Sequence, residues 1–194
     1  MSGAALRRVV FAGLATIGTG AVLVAGLLLR GGVSARSEPS AAEAFLARRL
    51  RHCAIPRGER ERPNPLPATP ANLAEGRAHF ADHCALCHAN DGGGDTEIGR
   101  GLYPRVPDMR RPQTQSLSDG ELFAIIKNGV RFTGMPAWGS QDRASDEATW
   151  KLVLFVRHLP DLTGAELRQM RELNPKTPSE ADEDREEREF LEGG

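Results

Sequence analysis

Aromatic side chains make up only 5% of the 194 residues, and the mean hydropathy is −0.39. A chain this poor in large apolar side chains builds a thin core unless a bulky apolar group fills it. Cysteine is scarce as well, and the three present cannot staple a disulfide framework. Neither sign of charge is in surplus: 25 Lys plus Arg stand against 26 Asp plus Glu, a formal net charge of −1. That balance excludes the basic excess with which nucleic-acid binders neutralise phosphates. The 21 Gly and 13 Pro follow no period, which excludes collagen-like and other repeat architectures. The length suits one domain with appendages.

What is present begins with Val9 to Leu29, an uncharged run of 21 residues between Arg7-Arg8 and Arg30. As a helix it spans about 31 Å, close to the hydrocarbon thickness of a bilayer. Residues 1–8 then form a short N-terminal end and 9–29 a transmembrane anchor. The alternative is a cleaved signal peptide, whose apolar stretch is shorter, although Val33-Ser34-Ala35 has the small residues that a signal peptidase accepts. Either route exports the rest of the chain. Small residues spaced for helix pairing within the run are common in any Ala- and Gly-rich span.

Residues 30–70 read as an Arg- and Pro-rich tether. Phe45, Leu46, Arg49, Leu50 and Cys53 recur near helical spacing, which predicts a short amphipathic helix over Ala41 to His52. Its apolar face either packs on the following domain or lies at the membrane surface with Arg48, Arg49 and Arg51 near the headgroups. Pro63, Pro65, Pro67 and Pro70 predict a stiff extended spacer. Cys53 reads as a small buried hydrophobe, or as the thiol of an intermolecular disulfide. Residues 164–194 read as an acidic tail, with eight acidic side chains after Lys176.

The chemistry sits at Cys84-Ala85-Leu86-Cys87-His88, the C-x-x-C-H spacing of covalent haem attachment. Two thiols one helical turn apart can both join the vinyl groups along one porphyrin edge, and the next residue sets an imidazole over the iron. A zinc site lacks a second ligand pair, since Cys53 is alone and only His158 follows. A thioredoxin-like redox pair lacks a surrounding βαβ pattern. One covalently attached haem c also accounts for the thin core, because the macrocycle buries apolar surface that side chains would otherwise supply.

With His88 as the proximal ligand, the other iron face has candidates in His52, His79, His83, His158, Met109, Met135 and Met170. Met135 lies in Gly134-Met135-Pro136-Ala137-Trp138, between two predicted helices, where glycine permits close backbone approach and proline stiffens the loop. A thioether ligand raises the reduction potential relative to a second imidazole. Met109, in Pro107-Asp108-Met109-Arg110, is its rival. His79 and His83 sit too close before Cys84 to reach the opposite face, and as an i, i+4 pair they are either an exposed metal site or ordinary surface histidines.

On these motifs, residues 71 to 160 resemble a class I c-type cytochrome domain. The resemblance implies an all-α fold preceded by one transmembrane helix, with the haem domain over 71–163. The expected order is a first helix from Asn72 to Cys87, a loop, a helix, the methionine loop and a last helix. Asn72 is positioned to cap the first helix, Ser118 with Glu121 forms a capping-box pattern, and Gly129 is placed to end that helix. Ser145 begins the last helix, and Pro160 stops it. In the resembled fold the last helix crosses the first at Gly76. The resemblance further implies a backbone carbonyl from Leu102 to Pro107 accepting the His88 ring N–H, with Tyr103, Arg105 and Trp138 reaching the propionates or closing the pocket. Each of those three reads equally well as a surface or packing residue.

The same resemblance places the haem domain on the periplasmic side of a bacterial cytoplasmic membrane, with redox proteins as donor and acceptor and no small-molecule substrate. The arginine count around the span is neutral on this point. Two functional classes stand: a membrane-tethered one-electron carrier with both axial positions filled, or a small-ligand sensor or peroxidase-like protein with an open one. A cytochrome subunit of a larger dehydrogenase or oxidase is a variant of the first.

Overall fold

The computed structural model describes residues 3–30, 34–140 and 142–176, together with 182, 185, 186, 189 and 190. Val33 and most of residues 177–194 fall outside the described residues. The chain divides into two units, Met1–Ser37 and Glu38–Gly194. Among its described residues the first contains one helix, α1 (Gly3–Arg30), whose Gly3–Gly26 stretch is long and apolar enough to cross a membrane, with mean hydropathy 2.0.

The second unit is helical, with no strand among its described residues. It comprises α2 (Ala41–Ala54), α3 (Arg57–Arg60), α4 (Pro70–His79), a π-helical turn (Phe80–Cys84), α5 (Ala85–His88), α6 (Glu97–Gly101), α7 (Pro112–Gln115), α8 (Asp119–Asn128), α9 (Arg143–His158), a 3-10 turn (Leu159–Asp161) and α10 (Gly164–Leu173). The expected order of motif helix, loop, helix, methionine loop and apolar helix is observed, with α6 and α7 inside the first loop and α10 following the helix expected to be last.

Local chemistry sets the ends of these helices. Thr69, not Asn72, caps α4: its hydroxyl accepts the Asn72 N–H, and Pro70 opens the helix where a missing N–H costs nothing. The Ser118–Glu121 capping box forms as read, and Gly129 ends α8 at φ 66°. Asp142 caps α9 by accepting the Ser145 N–H at 2.8 Å, so that helix starts two residues before Ser145. Pro160 lies in the 3-10 turn that follows.

The core gathers around the α4–α9 crossing. Gly76 is the close point, where a Cβ would stand 2.3 Å from the Lys151 carbonyl oxygen. Phe80 and Phe155 meet beside it with ring centroids 5.1 Å apart, and Phe123 stacks on Trp150 at 4.2 Å. Burying each such side chain contributes about 1.5–3 kcal/mol.

Two segments depart from their expected form. The proline-rich stretch is no free spacer, because its neighbours seat it on the domain. The Arg62 guanidinium stacks 5.1 Å from both the Phe123 and Trp150 rings, Asn64 donates to the Trp150 carbonyl, and Leu66 packs on the core. Gly120 makes room for α3, since a Cβ there would lie 1.9 Å from the Glu59 carbonyl. Cys53, expected buried, is exposed, because α2 buries none of its residues.

The second departure is α10, read as the start of the tail. Thr163 and Glu166 form a second capping box, and Met170 is fully buried in the core. Glu166 also bonds Arg77 at 3.1 Å and His158 at 2.9 Å. Burial alone would raise the Glu166 carboxyl, but the Thr163 N–H and hydroxyl and His158 outweigh it and hold the group down at about 2. A carboxyl depressed in the folded state stabilises above its unfolded pKa and loses that contribution as pH falls through the folded value. The melting temperature of the native protein is therefore expected to fall more steeply than that of Glu166→Gln between the ordinary carboxylate range and pH about 2. Parallel slopes in thermal melts would remove Glu166 as the α10 anchor.

Candidate haem site

One helical run, passing from α4 through the π turn into α5, delivers Cys84, Cys87 and His88 at its end. The five-residue π turn, whose last residue is Cys84 itself, widens the helix at the start of the motif, an irregularity that recurs at functional sites because it re-aims side chains. Phe80 opens this turn, with its ring 6.4 Å from that of His88. The chain then leaves the helix at Ala89, at φ 59°, and Gly94 donates its N–H to the His88 carbonyl at 2.8 Å.

The helix α6 lies against the backbone of the motif. The Thr96 hydroxyl caps α6 by accepting the Gly99 N–H at 2.8 Å and donates to the Cys87 carbonyl at 3.2 Å. Gly99 admits this contact, since a Cβ would stand 2.6 Å from the Cys87 oxygen. Neither residue was singled out from sequence, although Thr96 followed by Glu97 carries a helix-start signal.

Past α6, the Leu102 side chain closes on Gly134, 2.6 Å from where a Cβ would lie. This contact joins the motif side of the domain to the methionine loop. That loop is tied internally: Val130 donates to the Met135 carbonyl at 3.0 Å, and the Met135 N–H donates to the Thr133 hydroxyl at 3.1 Å. It is tied back to α8 by Trp138 N–H to the Ile126 carbonyl and Gly139 N–H to the Lys127 carbonyl. Gly129 sits beneath it, with the Met135 oxygen 2.7 Å from the position of a Cβ. From the other side, the Trp138 ring meets the His83 ring edge-on at 5.4 Å. Met135 is half-buried within this loop.

Burial pushes the Cys84 thiol up to about 12, with Cys87 adding to the rise, and it also raises Cys87. It pulls the His88 imidazole down to about 4. At neutral pH the motif thus offers two intact thiols and a neutral imidazole. Its Nδ1 is buried without a hydrogen-bond partner. This donor set fits a covalently held haem: two S–H groups for thioether bonds, and an uncharged ring free to ligate iron.

The remaining candidates disperse. His158 and His52 are paired with Glu166 and Glu121, and Met109 and Met170 are buried in the core. His79 and His83 meet ring to ring at 4.9 Å on the outer side of the motif helix. Three expectations change. The carbonyl sought from Leu102 to Pro107 does not bond His88; the Val106 carbonyl turns to Gly94 instead, 2.8 Å from where a Cβ would be. Tyr103 donates its hydroxyl proton to Glu43, and Arg105 pairs with Glu38 at 3.3 Å, so both hold the N-terminal arm. Trp138 remains beside the motif through its contact with His83.

Residues 71–156 match the protein family described as cytochrome C oxidase, cbb3-type, subunit III. The matched stretch covers somewhat less than half of the chain and includes Cys84, Cys87, His88 and Met135.

Proposed function

Residues 71–156 form a c-type cytochrome domain that holds one covalent haem, and on that premise we propose that the chain is a membrane-anchored one-electron carrier with His88 and Met135 as axial ligands. The observation that carries the ligand pair is the Leu102–Gly134 contact, which brings the tied Met135 loop against the segment that continues from the motif through α6. When bound, the haem supplies an iron that cycles between ferrous and ferric. Cys84 and Cys87 would hold it by thioethers, His88 would offer a neutral nitrogen, and the soft Met135 sulfur would favour the ferrous state. The loop ties would leave Met135 little freedom, which would suit a ligand that serves both oxidation states. The α1 helix would anchor this domain on the periplasmic face of a bacterial cytoplasmic membrane, where redox proteins exchange electrons with it.

The test is the absorption spectrum of the reduced full-length protein with and without carbon monoxide. A c-type spectrum unmoved by the gas is expected. A shifted spectrum would place a small-ligand sensor or peroxidase-like protein first.

The name of the matched family favours a second reading, in which the domain is the cytochrome subunit of a cytochrome c oxidase. Co-migration of its haem with other subunits on native gels after mild detergent would select that reading. Migration alone would select the free carrier.

A further inference from the structure

The arm helix α2 is fastened to its domain along one side only. His52 bonds Glu121 at 2.6 Å, the Arg60 guanidinium bonds the His52 carbonyl at 3.2 Å, Glu43 accepts from Tyr103, and Ala44 and Arg51 are half-buried. The opposite side carries Phe45, Leu46 and Leu50, which are 55%, 57% and 61% exposed, with Ala42 and Cys53 between them. At 3.6 residues per turn these five share one face. This apolar face, interrupted only by Arg49 and left bare by the domain that holds its other side, marks a surface that meets something else.

Charge and chain length identify the occupant. The only acidic residue of α2, Glu43, is occupied by Tyr103, whereas Arg49 is exposed within the stripe, between Phe45 and Cys53, and Arg48 is exposed beyond its Phe45 edge. The Arg49 guanidinium lies 5.2 Å from the centre of the Phe45 ring, an aliphatic stem along apolar surface with the charge at its edge. Ten residues, 31–40, separate Arg30 at the end of the apolar α1 helix from Ala41. Fully extended they reach roughly 35 Å, so Ala41, the start of α2, stays within about that distance of the end of α1.

We propose that α2 lies flat on the bilayer surface, with Phe45, Leu46 and Leu50 in the acyl boundary and Arg48 and Arg49 on anionic headgroups. Because α2 is fastened to the haem domain, this contact fixes which way the domain faces. The proposal rests on α1 remaining in the chain as an anchor, and the intact mass of the purified protein reads that point separately.

Once Cys84 and Cys87 hold haem, Cys53 is the one thiol left in the sequence. A nitroxide on Cys53 of the full-length reduced holoprotein, in nanodiscs of phosphatidylcholine with phosphatidylglycerol, reads the depth of this face. Collision with a water-soluble nickel chelate is expected to be about tenfold lower than for a nitroxide on Asp161→Cys in a Cys53→Ser background. The double variant Leu46→Ser/Leu50→Ser, exposed and outside the core, keeps the haem spectrum and returns Cys53 to water. Equal nickel access at both sites overturns the proposal. So does shielding that survives the double variant, and so does dipolar broadening between Cys53 labels, which would assign the face to a second copy of the chain.

Discussion

Replacing Met135 by alanine is expected to lower the reduction potential by on the order of 100 mV, within the roughly 0.8 V that axial ligands span, and to let carbon monoxide bind the reduced iron. The expectation separates ligation from folding because the loop is held by its backbone. The Val130-to-Met135 carbonyl bond, the Met135 N–H to Thr133 and the ties of Trp138 and Gly139 to α8 all survive loss of the side chain. Met109→Ala is the control with the opposite signature. Met109 is 8% exposed and packed in the core, so its truncation costs about 2–5 kcal/mol and leaves the spectrum in place. Redox titration and carbon monoxide difference spectra of the two variants decide the matter. If Met109→Ala opens the iron and Met135→Ala does not, the assignment is reversed.

The second large effect belongs to Gly76. A methyl group there would stand 2.3 Å from the Lys151 carbonyl oxygen and 3.2 Å from the Phe155 Cβ. The first obstacle is the backbone of α9, so no rotamer change relieves the clash and the helices must separate. Overpacking of this kind costs about 3 kcal/mol or more, and parting α4 from α9 also loosens Phe80 and Phe155 beside the motif. Gly76→Ala is expected to melt about 6–12 °C below the native protein, at about 2–4 °C per kcal/mol for a unit of this size, and to incorporate less haem. Gly58→Ala supplies the comparison, since nothing lies within 4 Å of its Cβ position and alanine suits a helix better. Equal melting temperatures for the two variants would mean that the crossing is looser than described.

The fold was legible wherever the deciding interaction is local. The Ser118–Glu121 capping box, the stop at Gly129 and the apolar run of α9 are written in neighbouring residues and formed as read. Asn72 and Ser145 were misassigned as helix starts because several polar residues near each start are competent to cap, and only backbone direction selects among them. The α10 helix was hidden by the acidic composition that follows it, although Thr163 and Glu166 carry the same capping signal as α8 and Met170 follows at helical spacing.

The site divides along the same line. Cys84, Cys87 and His88 are adjacent in the chain, so their joint chemistry is a property of the sequence itself. Met135 was singled out by its glycine and proline neighbours, whereas the packing of its loop, Gly134 on Leu102 and Trp138 on His83, joins residues distant in the chain. Thr96 and Gly99 escaped notice because their role exists only against the Cys87 carbonyl.

By itself, the sequence determined one membrane-length apolar helix, a covalent haem motif and the helical order around it, since periodicity, caps and ligand spacing act within a few residues. Tertiary structure alone decided that Tyr103 and Arg105 hold the arm through Glu43 and Glu38, that Arg62 and Asn64 seat the proline stretch on Trp150, and that α2 turns its apolar side outward. These are contacts between segments distant in the chain, and their partners are chosen by which surfaces the packed helices leave open.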